Sequence, residues 1–60
     1  MNWNEMKRLV ISKGYKFEKH GKKHDIYRNP ETNDMLLIER HWSQEVRVGL
    51  MKKILSQIGE

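Results

Sequence analysis

Apolar residues follow a helical period in two segments of the chain, and the first covers residues 2–13. Its apolar face is formed by Trp3, Met6, Leu9 and Val10. Asn2 and Glu5 have the spacing of a capping box, which begins a helix. Gly14 stands where a helix often ends with a residue in the left-handed conformation. This pattern predicts an amphipathic helix over residues 2–13.

The second helical period covers residues 46–58. Its apolar stripe comprises Val48, Leu50, Met51, Ile54, Leu55 and Ile58. Lys52 and Lys53 fall on the opposite face, and Gly59 follows where the helix should end. These residues predict a second amphipathic helix.

Between the helices, three short segments have the character of strands. Residues 15–19 and 24–28 alternate apolar with polar side chains, as half-buried strands do. Residues 35–39 form the most apolar run in the chain, so we expect them to be the central strand. Turn-forming residues separate the segments at positions 20–23 and 29–34.

The element order is therefore helix, three antiparallel strands, helix. Two amphipathic helices on one face of a three-stranded sheet is the simplest two-layer arrangement for these elements. We expect an α+β fold in which residues 1–60 form one domain. A chain this short has few aromatic residues to spare, so Tyr15 and Phe17 are expected in the core.

The composition indicates the cellular compartment of the domain. The 60 residues include no cysteine, and a secreted domain of this size would usually carry disulfides. No apolar run approaches the roughly 18 residues that a membrane span needs, and residues 1–5 do not resemble a signal peptide. We therefore expect a cytoplasmic protein.

Positive charge is concentrated in residues 13–28, which we call the basic segment. It holds six basic and two acidic residues, an excess that equals the net charge of +4. The basic residues are Lys13, Lys16, Lys19, Lys22, Lys23 and Arg28. Solubility alone would not require such clustering, so we favour a site for a polyanion such as RNA.

Three histidines, His20, His24 and His41, are the candidates for proton-transfer chemistry. His24 follows Lys22 and Lys23 and begins a predicted strand, where its side chain can be exposed while its backbone is held. A histidine among lysines is more often a phosphate contact than a catalyst, and His20 is expected to lie exposed on the turn. No pair has regular zinc-ligand spacing, so we expect no metal site and no cofactor.

Several segments together resemble the HicA toxins of bacterial toxin–antitoxin systems. The similar runs are Lys13-Gly14-Tyr15, Gly21-Lys22-Lys23-His24-Asp25-Ile26-Tyr27, Ile38-Glu39-Arg40-His41 and residues 50–59. The last run closely matches the family's closing helix, which typically reads Leu-x-x-Ile-Leu-x-Gln-x-Gly. Two positions depart from the family pattern: Lys22 or Lys23 replaces a serine before the histidine, and Glu39 replaces a proline.

The resemblance implies a double-stranded-RNA-binding-domain-like fold and a metal-independent endoribonuclease that cleaves mRNA. It implies that His24 is the catalytic histidine and that a HicB-like antitoxin neutralises the toxin, which is monomeric when free. We expect the phosphate-binding residues to be Lys19, Lys22, Lys23, Arg28, Arg40 and His41. Trp42 is expected to anchor the antitoxin, because tryptophan often dominates binding interfaces.

Two other functions remain open from the sequence. A non-catalytic RNA-binding module would share every electrostatic feature of the ribonuclease, with His24 only contacting phosphate. A DNA-binding or protein-interaction domain is the third interpretation, although neither predicted helix exposes residues suited to reading base edges.

Overall fold

The computed structural model describes residues 1–40 and 43–60 and contains five elements in the predicted order. They are α1 (Trp3–Ser12), β1 (Lys16–His20), β2 (His24–Arg28), β3 (Met35–Glu39) and α2 (Val48–Gln57). The bounds of β2 and β3 agree with the sequence prediction, and β1 lies one residue later. No helix among the described residues has the length and apolar character needed to cross a membrane.

The ends of α1 form as the sequence predicts. The Asn2 side chain accepts a hydrogen bond from the Glu5 backbone N–H, and the Glu5 carboxylate accepts one from the Asn2 backbone N–H. At the other end, Gly14 has a φ of 98°. Its N–H donates to Ile11, and the Tyr15 N–H donates to Val10, which satisfies two carbonyls of the last turn.

Helix α2 begins two residues later than predicted. The preceding residues instead pair with the start of the chain, through an antiparallel bridge between Asn2 and Glu45. The Val46 N–H donates to the Met1 carbonyl at 2.9 Å, and the Val46 side chain is buried. This pairing keeps the backbone extended up to Arg47, which is the N-cap residue of α2.

The strand order in the sheet is β1-β2-β3, with both pairs antiparallel. The prediction that β3 is the central strand is therefore wrong, because two short hairpins place β2 between its chain neighbours. The apolar run in β3 serves both faces of the sheet. Leu36 and Ile38 are buried against the helices, whereas Met35 and Leu37 are 44% and 47% exposed on the other face.

The core lies between the two helices and one face of the sheet. It is formed by Trp3, Met6, Val10, Tyr15, Tyr27, Leu36, Ile38, Val46, Ile54 and Ile58, with Leu9, Met51 and Leu55 packed at its margin. Val48 and Leu50 were expected in the same stripe but are exposed. The buried part of α2 is thus its C-terminal half.

Phe17 is not in the core, contrary to the prediction. It is 48% exposed, and every residue of β1 is exposed. The helices cover β2 and β3 and leave the edge strand bare, so Phe17 contacts Tyr27 only edge-on, at 5.8 Å between ring centroids. A bulge at Glu18 shifts the β1–β2 register, so that Lys19 pairs with Ile26.

One polar cluster, at the end of the sheet opposite the β1–β2 turn, joins the sheet to α2. The Tyr15 hydroxyl donates to Asp34 Oδ2 at 2.5 Å, and Gln57 Nε2 donates to the same oxygen at 2.9 Å. Gln57 also donates to the Met35 carbonyl. Burial, followed by the bond to Asp34, raises the pKa of Tyr15 to about 12, and the bond from Tyr15 lowers the pKa of Asp34.

Candidate nucleic-acid site at the turn between β1 and β2

The turn between β1 and β2 places the middle of the basic segment at one end of the sheet. Its closing hydrogen bond runs from the Gly21 N–H to the His24 carbonyl, at 2.7 Å. Lys22 and Lys23 are exposed between these two residues. The local sequence, a glycine followed by polar residues between two alternating strands, is what positions both lysines at the tip.

Gly21 is required here by a close approach. A Cβ atom at this position would lie 2.9 Å from the His24 carbonyl oxygen, and 3.4 and 3.5 Å from Cδ2 and Nε2 of its imidazole. The close approach is to the backbone carbonyl of His24, so a side chain at residue 21 would disturb the turn. The glycine therefore allows the turn to close beside the half-buried imidazole of His24.

His24 opens onto a pocket of about 520 Å³. The pocket is lined by Lys22, Lys23, His24, Glu39 and Arg40. His24 and Glu39 are partners across β2 and β3, on the face of the sheet turned away from the helices. Three cationic side chains beside an imidazole can bind a phosphate and exchange a proton with a group next to it.

A buried carboxylate, Asp25, lies behind this pocket. It is 4% exposed, and its Oδ1 atom lies 2.7 Å from His20 Nδ1 and 3.1 Å from Arg40 Nε. Because a carboxylate is an acceptor, Nδ1 of His20 carries the hydrogen in this pair. Arg40 Nη2 also donates to the Gly21 carbonyl. Arg40, which directly follows β3, thus links the end of that strand to the turn.

The pairing of Asp25 with His20 and Arg40 was not predicted, although the sequence contains a signal for it. In β2 the alternation places Asp25 on the same face as Tyr27, which is the core face. A charged residue at a core-facing position needs partners. That requirement would have directed attention to His20 and Arg40 as its hydrogen-bond partners.

The structure separates Arg28 from this site. Arg28 ends β2, about 13 Å from His24 along the strand at roughly 3.3 Å per residue. Its Nε donates to Glu18 at 2.7 Å, and its Nη1 donates to Asn33 at 3.1 Å. The hydrogen bond from Arg28 lowers the pKa of Glu18. Lys19 lies closer, because it pairs with Ile26 on the face that carries His24.

Two residues of the predicted site, His41 and Trp42, lie outside the described residues. Within residues 1–40 and 43–60, no three histidine or carboxylate side chains converge so that they could hold a metal ion. The described site therefore consists of the imidazole of His24, the cations around it, and the His20–Asp25 pair behind it.

A family model described as the HicA toxin of bacterial toxin–antitoxin systems matches residues 3–60 of the chain. The match spans both helices, all three strands and the turn that carries His24. No curated protein and no solved structure matches the chain.

Proposed function

The chain belongs to the HicA family of toxins from bacterial toxin–antitoxin systems, and we propose that it is an endoribonuclease that cleaves mRNA in the cytoplasm. The observation that carries this proposal is the His24 imidazole, which lies beside the turn and lines a pocket with three cationic side chains and Glu39. That combination suits a phosphodiester flanked by a hydroxyl group that can be deprotonated.

RNA supplies its own nucleophile, the 2′-hydroxyl next to the phosphate. His24 would exchange a proton with a reacting oxygen, since an imidazole can accept or donate near neutral pH. Lys22, Lys23 and Arg40 would bind the phosphate and stabilise the charge that develops on it. Lys19, on the same sheet face, and Arg28, at the far end of β2, would contact neighbouring phosphates.

Turnover of RNA by the purified protein tests this function. We expect products with a 2′,3′-cyclic phosphate or the 3′-phosphate derived from it, formed equally well in the presence of a chelator. An oligonucleotide with a 2′-deoxy sugar at the mapped cleavage position should resist. Binding without cleavage would instead support the non-catalytic RNA-binding module, and cleavage of the 2′-deoxy substrate would contradict the 2′-hydroxyl mechanism.

The contribution of the turn to binding can be measured through its salt dependence. Replacing Lys22 and Lys23 together by alanine removes two proposed phosphate contacts. The slope of log affinity against log salt should shrink by about 1 to 2 units, at roughly 0.7 to 0.9 per phosphate.

The matched control is the double alanine variant of Lys52 and Lys53. These are also adjacent exposed lysines, but they lie on α2. The Lys52/Lys53 variant makes the same change in net charge, and its salt slope should stay close to that of the original protein. Equal slopes for the original protein and the Lys22/Lys23 variant would place the RNA elsewhere.

We also propose that a HicB-like antitoxin silences this toxin by covering the basic segment. An acidic partner surface over Lys22, Lys23 and His24 would exclude RNA and neutralise the charge together. Complementary charge mainly accelerates encounter, and the buried centre of an interface sets the lifetime. In this proposal Trp42 is the anchor of the complex, and the toxin without its antitoxin is a monomer.

A further inference from the structure

His20 and Asp25 form a pair with the arrangement of an oriented proton-transfer group. Asp25 is buried, and its Oδ1 atom fixes Nδ1 of the His20 imidazole at 2.7 Å. The His20 side chain is nevertheless 68% exposed, so much of the ring is accessible to a substrate. A buried carboxylate that holds one imidazole nitrogen while the other faces outward sets the tautomer and direction of the ring.

Arg40 joins this pair to the pocket of His24. Its Nε shares Asp25 Oδ1 with His20, and it lines the pocket together with His24. The charged groups that face His20 are thus Asp25 on β2 and Arg40 after β3, and the ring of Phe17 packs beside it at 4.9 Å between centroids.

The two histidines flank the turn and belong to opposite faces of the hairpin. His20 pairs with Asp25, whose side chain is on the core face, whereas His24 pairs with Glu39 on the outer face. Displacement at phosphorus places the attacking and leaving oxygens roughly in line, on opposite sides of the phosphorus atom. A base and an acid that serve this reaction must therefore also lie on opposite sides.

We propose that His20 is the second catalytic residue of this ribonuclease, acting as general acid while His24 acts as general base, and that Asp25 is its positioning residue. This inference rests on the proposed RNA cleavage. A phosphate held by Arg40 at the end of the hairpin would have His24 on one side and His20 on the other.

The proton balance of the step is complete with these two groups. The 2′-oxygen forms a bond to phosphorus as its proton passes to neutral His24. The bond from phosphorus to the 5′-oxygen breaks, and that oxygen takes the proton from Nε2 of protonated His20. The products are a 2′,3′-cyclic phosphate and a 5′-hydroxyl, with His24 protonated and His20 neutral until both exchange protons with water.

A substrate that does not need an acid tests this assignment. In one oligonucleotide the leaving group at the mapped cleavage site is the normal 5′-oxygen; in its match, sulfur replaces that oxygen, and a thiolate departs without protonation. His20→Ala should lower kcat on the oxygen substrate by about 10² to 10⁴-fold, with little change in KM. It should leave the rate on the sulfur substrate close to that of the original protein. His24→Ala should be slow on both.

Asp25→Asn provides a second variant that keeps the size of the side chain and a hydrogen-bonding oxygen. It should also slow the oxygen substrate more than the sulfur substrate, because the ring of His20 loses its charged partner. Full activity of His20→Ala on the oxygen substrate would overturn the proposal. Equal losses on both substrates, in His20→Ala and in Asp25→Asn, would also overturn it, since a purely structural role does not distinguish leaving groups.

The two proposals fail in different ways. If the original protein cleaves neither substrate, the ribonuclease function itself is wrong. If it cleaves both and His24→Ala does not, while His20→Ala behaves like the original, RNA cleavage stands and only the role of His20 is refuted. If His24→Ala, and not His20→Ala, keeps its rate on the sulfur substrate, the assignment of His24 as base and His20 as acid is refuted.

Discussion

His24→Ala should abolish growth arrest when the toxin is expressed, and should lower the rate of RNA cleavage by at least about 10²-fold. The expectation follows from the position of the imidazole, which lines a pocket with Lys22, Lys23, Glu39 and Arg40 and is our proposed proton-transfer group there. The measurements are colony growth after induction and single-turnover cleavage of the mapped oligonucleotide. RNA affinity should change little, because the lysines and Arg40 remain.

The fold should survive this substitution. His24 is only half-buried and belongs to the open face of the sheet, so its removal costs little packing. Equal soluble yield and an equal melting temperature would show this, with Lys52→Ala as the control for a surface change. A His24→Ala protein that still arrests growth at matched expression would exclude His24 as the catalytic residue.

Ile54→Ala should lower the free energy of unfolding by about 2 to 5 kcal/mol. Ile54 is 3% exposed and lies in the buried half of α2, within a core drawn from only 60 residues. A domain of this size has modest stability to lose, so the variant should melt far below the original protein. Chemical denaturation followed by circular dichroism gives the difference directly.

The neighbouring residue supplies the control for this stability prediction. Lys53 is exposed on the same helix, and Lys53→Ala should change the free energy of unfolding by no more than about 0.5 kcal/mol. Similar denaturation midpoints for the two variants would mean that α2 presents a different face to the sheet.

Features set by neighbouring residues were predictable from the sequence. The capping box of Asn2 and Glu5 and the left-handed Gly14 depend on interactions within a few residues, and turn-forming residues beside β2 and β3 marked the bounds of those strands. The same holds for part of the site. Lys22, Lys23 and His24 occupy a single turn, so their proximity follows from the chain itself.

Features that depend on strand order, and on which strands the helices cover, were not predictable in the same way. The alternation in β1 is the same whether Phe17 meets a helix or solvent, and the apolar run of β3 does not reveal which strands flank it. Strand order and helix placement decide both outcomes, and these depend on the whole chain. The errors over Phe17 and β3 therefore have a common physical origin.

The residues of the site also divide into those placed by the local chain and those placed by strand pairing. Arg40 and Glu39 reach the pocket of His24 only because β3 pairs with β2. Arg28 belongs to the basic segment in sequence, yet the length of β2 carries it to the far end of the sheet. Charge clustering along the chain therefore indicated the turn beside which the pocket lies, but it overestimated how many cations of the basic segment converge there.

The two edges of the sheet differ in a way that bears on the colloidal behaviour of the protein. The β1 edge carries Lys16, Lys19 and a bulge, features that discourage a foreign strand from pairing with it. The β3 edge has no bulge, and it exposes Met35 and Leu37 without an intervening charge. In concentrated solution, association by strand pairing should therefore begin at β3, and it should stop at two molecules because both edges of the joined sheet would then be β1.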